Sequence, residues 1–261
     1  LEELAEHCKG MLAVGISVLT THYLNRAIQV NDYLRKSIKV PIVWGGVPVI
    51  CDPGFYLNSA DFVCTGEGEI FMEEFLGNVQ KNEPLNKTRG IAYRSVNGEI
   101  IRTTPIPLID VNNIPIPIFN LDEHYILGKH LVSLREDPSE LINQTIGRGY
   151  RVFPIRGCPF KCSFCCNNKL TEVFKGQKLL RTRRTDLVIE ELLKAKEMIP
   201  EMNIVWFEED DFFSRTDEEL ENLVKMYKKD IDLPISIFAT IKRTNERKLN
   251  ILKHNNIKIE R

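Results

Sequence analysis

Short apolar runs alternate with amphipathic helical repeats along two long stretches of this 261-residue chain, and that alternation leaves few folds open. Met11 to Leu19 (MLAVGISVL) is rich in β-formers and closes on polar Thr20-Thr21. From Tyr23 to Lys36, apolar residues recur at Leu24, Ala27, Ile28 and Leu34, the spacing of one helix face. Pro41 to Trp44 is a second run, stopped by Gly45-Gly46. Phe62-Val63-Cys64 is a third, running into Gly66-Glu67-Gly68-Glu69, and Ile70 to Val79 is again helical. Strand and helix in turn predict parallel βαβ units, with helices on both faces of a doubly wound, Rossmann-like α/β sheet. Such sheets bind ligands beyond the carboxyl ends of their strands. Ser17 to Leu19, Gly45-Gly46 and Gly66-Glu67 all fall there.

The pattern changes near Arg89. Asn97-Gly98 between Ile91–Arg94 and Glu99–Thr103 is a hairpin signal. Pro105, Pro107, Pro115 and Pro117 then exclude a regular helix or a central strand. Alternation resumes with a strand at Arg151–Ile155, a helix from Leu187 to Met198 capped by Thr185-Asp186, and a strand at Asn203–Phe207. Thr216 and Glu219 are spaced as the capping box of a helix reaching Lys229. Pro234–Thr240 predicts a strand, Asn245–His254 a helix, and Ile257 the start of another strand. Three parts follow: an α/β domain over 1–88, a hairpin and proline-rich connector over 89–149, and a β/α barrel cut off partway over 150–261. The chain opens on Leu1-Glu2-Glu3, neither a Met nor a charged-then-apolar signal, so a piece of a longer polypeptide is expected.

Bulk properties exclude several partners. A net charge of -1 gives no global positive field for nucleic acid or an anionic membrane, and no run of about 18 apolar residues exists to span a bilayer. Seven cysteines, four of them between 158 and 166, are a poor disulfide framework. Clustered thiols in a reducing compartment, the cytoplasm, point to metal instead. Cys8, Cys51 and Cys64 stand singly among apolar residues and read as small buried hydrophobes. His7 and His22 read as surface histidines, and the basic stretch Lys178 to Arg184 as a solvated face.

The cysteine loop runs Arg156-Gly-Cys158-Pro-Phe-Lys-Cys162-Ser-Phe-Cys165-Cys166. Three thiolates at C-x3-C-x2-C spacing can ligate three irons of a [4Fe–4S] cluster and leave the fourth open. An open metal position is what a chelating substrate needs. A structural zinc site would have to recruit Cys166, and no second C-x2-C or His pair accompanies it.

With Phe164 before the last cysteine, the loop resembles the C-x3-C-x-aromatic-C motif of the radical S-adenosylmethionine superfamily. The acidic run Phe207-Glu208-Glu209-Asp210-Asp211-Phe212 is similar to that superfamily's F-x-[DE]-D-x-F strand end. Ser17-Val18-Leu19 and Gly45-Gly46 resemble the S-x-L and G-G elements of cobalamin-binding domains, and Gly66-Glu67-Gly68-Glu69 is typical of those that precede a radical barrel. The D-x-H-x-x-G loop of cobalamin domains is absent from the sequence.

The resemblance implies a cobalamin-binding domain followed by a partial (β/α) radical barrel. It implies Cys158, Cys162 and Cys165 on the cluster and Phe164, Glu209 and Asp210 at S-adenosylmethionine. Ser17, Leu19, Gly45, Gly46, Gly66 and Glu67 would lie at cobalamin. It further implies cleavage of the sulfonium to a 5′-deoxyadenosyl radical, fed by a donor such as flavodoxin or ferredoxin. The outcome would be methylation, cyclisation or rearrangement of a small molecule. Two alternatives stay open: a methylthiotransferase-like radical enzyme, and a non-catalytic cobalamin or metal-binding module.

Overall fold

The structure is a computed structural model that describes residues 1–117, 123–133 and 149–259. Parts of the expected connector, 118–122 and 134–148, lie outside the described residues. The chain forms two compact units. The first comprises Leu1–Ile109, Lys129–Leu131 and Lys161–Gln177, and the second holds the remainder.

In the first unit the elements run α1 (Glu2–His7), β1 (Val14–Ser17), α2 (Leu24–Ser37), β2 (Ile42–Gly45), α3 (Val47–Cys51), α4 (Pro53–Tyr56), β3 (Phe62–Cys64), α5 (Gly68–Gln80), β4 (Ile91–Arg94) and β5 (Ile100–Arg102). They build one five-stranded sheet of order β1-β2-β3-β4-β5. β1, β2 and β3 are parallel, as the alternation predicts, and the hairpin adds β4 and β5 antiparallel. Gly98, at φ +82°, supplies the left-handed turn residue of that hairpin.

Side chains of β2 alternate between two cores, as strand geometry requires. Trp44 and Ile42 join Leu34 of α2, Val18 and Val63. Val43 joins Phe71 and Phe75 of α5, whose rings stack at 5.6 Å. The fully buried Trp44 is not left with an orphan donor: its Nε1–H donates to Asn31 Oδ1 (3.0 Å), and Asn31 Nδ2 donates to the Ser59 carbonyl (2.9 Å).

After β6 (Tyr125–Leu127) and β7 (Leu131–Ser133), the second unit carries β8 (Gly149–Val152) and the short β9 (Ile155–Arg156). The chain then forms α6 (Cys166–Val173), which belongs to the first unit, and β10 (Arg181–Thr182), α7 (Thr185–Met198), β11 (Ile204–Phe207), α8 (Asp217–Asp230), β12 (Ile235–Ile237) and α9 (Glu246–His254). β8, β11 and β12 make a parallel sheet of order β12-β11-β8, and β9 pairs antiparallel with β10. Val152, Val205, Phe207 and Ile235 meet Leu192 of α7 and Leu220 of α8 in a single core. Truncating such a buried leucine to alanine costs about 2–5 kcal/mol.

The strand expected over Arg151–Ile155 is broken in two, since Pro154 cannot donate to a ladder. Near the chain end, Ile259 makes only an isolated parallel bridge to Ile235. The capping box forms as spaced: Glu219 N–H donates to Thr216 Oγ1 (3.2 Å) and Thr216 N–H to Glu219 Oε2 (2.8 Å). The basic stretch is not wholly solvated. Arg183 Nη1 reaches Glu191 Oε2 at 2.5 Å with both side chains buried, because Glu191 also accepts the Tyr150 hydroxyl (2.8 Å) and draws the arginine inward. α7 likewise lacks the expected side-chain cap; Asp186 pairs with Arg184 instead.

Candidate functional site

In the second unit, β11 ends in four consecutive carboxylates, which would repel one another if left alone. The fold gives three of them partners. Glu208 pairs with Arg151, whose guanidinium lies 3.8 Å over the Trp206 ring. Glu209, only 1% exposed, pairs with Arg215, 4% exposed, through both carboxylate oxygens (Nη2 to Oε2 2.8 Å). Burial pushes the Glu209 carboxyl up from its ordinary range, and the Arg215 charge works against that rise. Asp211 accepts from Thr240 N–H (3.0 Å), Thr240 Oγ1 (3.3 Å) and Ser214 Oγ (3.2 Å), tying the β11 end to the loop after β12. Asp210 is exposed and makes no hydrogen bond or ion pair among the described residues. Of the acidic residues expected at a ligand, Asp210 faces solvent and Glu209 is held inside.

Sequence reading missed Arg215, Asp211 and the Tyr150–Glu191–Arg183 network. Arg215 carried one signal: a lone cation among Phe212, Phe213 and a helix cap, six residues after a carboxylate destined for burial.

The cysteine loop leaves β9 through Gly157, at φ +86°, where a Cβ would lie 2.4 Å from the Leu179 carbonyl oxygen. Only glycine fits. Cys158 follows, half-buried, in the second unit, and Phe160 lies against Lys242 (5.9 Å) and Arg243 (5.8 Å) after β12. Cys162 and Cys165 belong to the first unit and share a tight turn, Cys165 N–H donating to the Cys162 carbonyl (3.0 Å). Cys165 sits at the N-cap of α6 in extended conformation, and Asn167 Nδ2 points at its sulfur (3.7 Å). Phe164 is 92% exposed, and Cys166 is exposed on the first helical turn.

No disulfide joins any of the seven cysteines. Among the described residues no three His, Cys, Asp or Glu side chains converge to hold a metal ion. The donor set nevertheless suits a thiolate-bound cluster in kind: soft sulfur ligands, reachable from solvent, two of them on one turn with an amide donor beside the sulfur. Cys8 and Cys64 are buried and Cys51 half-buried; burial pushes the Cys64 thiol up to about 11, the state of an inert structural cysteine.

Three parallel strands of the first unit end along one edge of their sheet. Ser17 and Gly45 are register partners there, and Leu19 beyond them is 72% exposed. Tyr23 and Val47, which the sequence did not mark, add exposed apolar surface after β1 and β2. Gly66 is open, with nothing nearer to a built Cβ than the Ile106 carbonyl at 4.0 Å. Glu67 is committed to the chain itself, accepting the Ile109 N–H at 3.0 Å. The rim is open and carries exposed apolar side chains beside Ser17, a lining whose chemistry suits, in kind, the face and amide-bearing edge of a flat macrocycle such as a corrin.

No family model matches the chain. The chain is similar to several curated proteins. It is 28% identical over 173 residues to the anaerobic magnesium-protoporphyrin IX monomethyl ester cyclase of Synechocystis, covering 63% of this chain and 31% of that one. It is 26% identical over 258 residues to the cytidylyl-2-hydroxyethylphosphonate methyltransferase of Streptomyces wedmorensis, covering 86% and 44%. The chain thus spans less than half the length of either relative. Among solved structures it resembles the radical S-adenosylmethionine methyltransferase TsrM of Kitasatospora setae, at a TM-score of 0.73 and 14% identity over 97% of this chain and 48% of that one. A second TsrM structure, with cobalamin and a [4Fe–4S] cluster bound, matches at 0.69.

These likenesses define the class first: a mixed α/β protein built on parallel strands, of the fold of TsrM. They also bear out the resemblance read from the motifs, for the chain fits a radical S-adenosylmethionine protein with a cobalamin-type domain.

Proposed function

We propose that this chain cleaves S-adenosylmethionine reductively to a 5′-deoxyadenosyl radical, in a cobalamin-linked methylation, cyclisation or rearrangement of a small molecule. The observation that carries the reading is the thiol loop itself: Cys158 just beyond a turn that only Gly157 can make, and Cys162 and Cys165 on one tight turn at a helix start. Those three residues would hold the cluster; Ser17, Leu19, Gly45, Gly46, Gly66 and Glu67 would border cobalamin. When bound, the cluster supplies the electron that breaks the sulfonium bond and cobalamin a methyl carrier.

The chain's own residues bind and orient. Phe164, almost fully exposed, offers an aromatic face beside the thiols, and the acidic end of β11 offers negative charge to the methionyl ammonium. The partner class is a small-molecule substrate with a low-potential electron donor such as flavodoxin or ferredoxin. No helix among the described residues is long and apolar enough to cross a membrane.

Anaerobic reconstitution with iron and sulfide tests the proposal. The expected outcome is a brown protein with broad absorbance near about 400 nm, which releases 5′-deoxyadenosine from S-adenosylmethionine on reduction. A protein that takes up only tetrahedral zinc, or no sulfide, would overturn it.

A further inference from the structure

The backbone on both sides of the Cys165 sulfur is tied down. Its N–H donates to the Cys162 carbonyl (3.0 Å), and its carbonyl takes the Asn168 N–H (3.1 Å), closing the turn from which α6 starts. A side chain makes the third hold: Asn167 Nδ2 lies 3.7 Å from Cys165 Sγ, within reach of an N–H···S hydrogen bond. All of these groups belong to the first unit.

Asn167 is buried against the preference of its residue type. It is the one buried residue of α6, 9% exposed, whereas Val173 on the same helix is 40% exposed. α6 packs against α3 of the same unit, so the amide is carried on an anchored helix. The donors of a buried amide ordinarily find oxygen acceptors. Among the described residues the Asn167 side chain has none, and its single hydrogen bond goes to the sulfur. A neutral thiol is a weak acceptor. A metal-bound thiolate carries charge and is a strong one, and hydrogen bonds to the sulfurs help to set the potential of an iron–sulfur cluster. The amide is matched to the metallated state of Cys165 and poorly matched to its free thiol.

Resting on the cluster proposed above, we infer that Asn167 is a positioning residue that acts through Cys165: its amide fixes the direction of the sulfur and raises the reduction potential of the cluster. Reduction brings in one electron, supplied by the low-potential donor, with no proton and no change of ligands. The added negative charge spreads onto the sulfurs, so a fixed N–H stabilises the reduced form more than the oxidised one. Asn167 lies two residues beyond the cysteine motif, which assigns it nothing.

Redox titration of the anaerobically reconstituted protein with dithionite, followed by the electron paramagnetic resonance signal of the reduced cluster, tests this. Asn167→Leu is close in shape and removes the donor. Its one-electron equilibrium should move about tenfold against the reduced cluster, a midpoint about 59 mV more negative, with iron and sulfide content unchanged. Asn168→Leu removes the neighbouring amide, whose side chain makes no hydrogen bond among the described residues, and should keep the wild-type midpoint. A wild-type midpoint in Asn167→Leu, or an equal shift in Asn168→Leu, would overturn the inference while leaving the proposed function standing. A wild-type protein that takes up no cluster would instead overturn that function, and this inference with it. Should Asn167→Leu fail to load iron, Asn167→Ala removes the same donor with the best helix former and is held to the same outcomes.

Discussion

A Cβ built on Gly46 would lie 2.2 Å from the carbonyl oxygen of Val18, so the two strand ends of the first unit cross closer than any other residue at 46 permits. Gly46 also has φ +106° and ψ 166°, a conformation essentially confined to glycine. The glycine that the motif assigns to a passing ligand is therefore required by the chain's own backbone. Gly45 differs, since its Cβ would meet only Cys64 Cβ at 3.7 Å, an ordinary contact. Gly46→Ala should lower stability by about 2 kcal/mol or more, seen as a reduced urea midpoint, while Gly45→Ala should stay within about 0.5 kcal/mol of wild type. Equal midpoints for the two variants would refute the assignment.

Tyr150 gives a prediction at alkaline pH. Burial first, then its hydrogen bond to Glu191, raises the phenol well above its ordinary value. A group whose folded pKa is raised adds stability below its unfolded pKa, near about 10 for tyrosine, and that stability is lost as pH climbs further. Stability should fall with rising pH above about 10, and Tyr150→Phe should flatten that limb. The same substitution leaves Glu191 one donor short, costing about 1–3 kcal/mol at neutral pH. An alkaline limb of unchanged slope in Tyr150→Phe would show that Tyr150 contributes none of it.

Much of the architecture was legible because it rests on local signals. The β2 and β3 runs, the α8 capping box and the Asn97-Gly98 turn each carry their own chemistry, and each appears where the residues place it. What escaped was settled by distant partners. Arg183 sits in a stretch that looks solvated, and only the approach of Glu191 and Tyr150 buries it. Glu209 and Asp210 are neighbours of one charge type in sequence, and Arg215 alone makes one an anchor and the other a free end. Periodicity reports which face is apolar; it does not report which carboxylate finds an arginine.

Cys64 should resist alkylation in the native protein. Burial lifts its thiol to about 11, so its thiolate fraction at pH 8 is on the order of one in a thousand. Exposed Cys162 is open to reagent. Brief iodoacetamide treatment of the native apoprotein at about pH 8, read by peptide mass spectrometry, should label Cys162 heavily and Cys64 only after unfolding. Comparable labelling of both would mean that the strand end at Cys64 opens readily.

The adjacent thiols Cys165 and Cys166 have different duties in the proposed cluster, and the backbone separates them. Cys165 is the N-cap, extended at φ -100° and ψ 141°, with its carbonyl taken by Asn168 N–H (3.1 Å) and an amide donor facing its sulfur. Cys166 is already helical. Successive residues across a cap project their side chains in different directions, so one cluster face can use the cap sulfur together with Cys162 of the same turn without using Cys166. Replacing Cys158, Cys162 or Cys165 by alanine should abolish both the reconstituted iron–sulfur chromophore and 5′-deoxyadenosine release, a loss of about a hundredfold or more for a missing ligand. Cys166→Ala should keep iron, sulfide and cleavage within about twofold of wild type. An equal loss in Cys166→Ala would show Cys166 to be needed as well and overturn the three-cysteine ligand set.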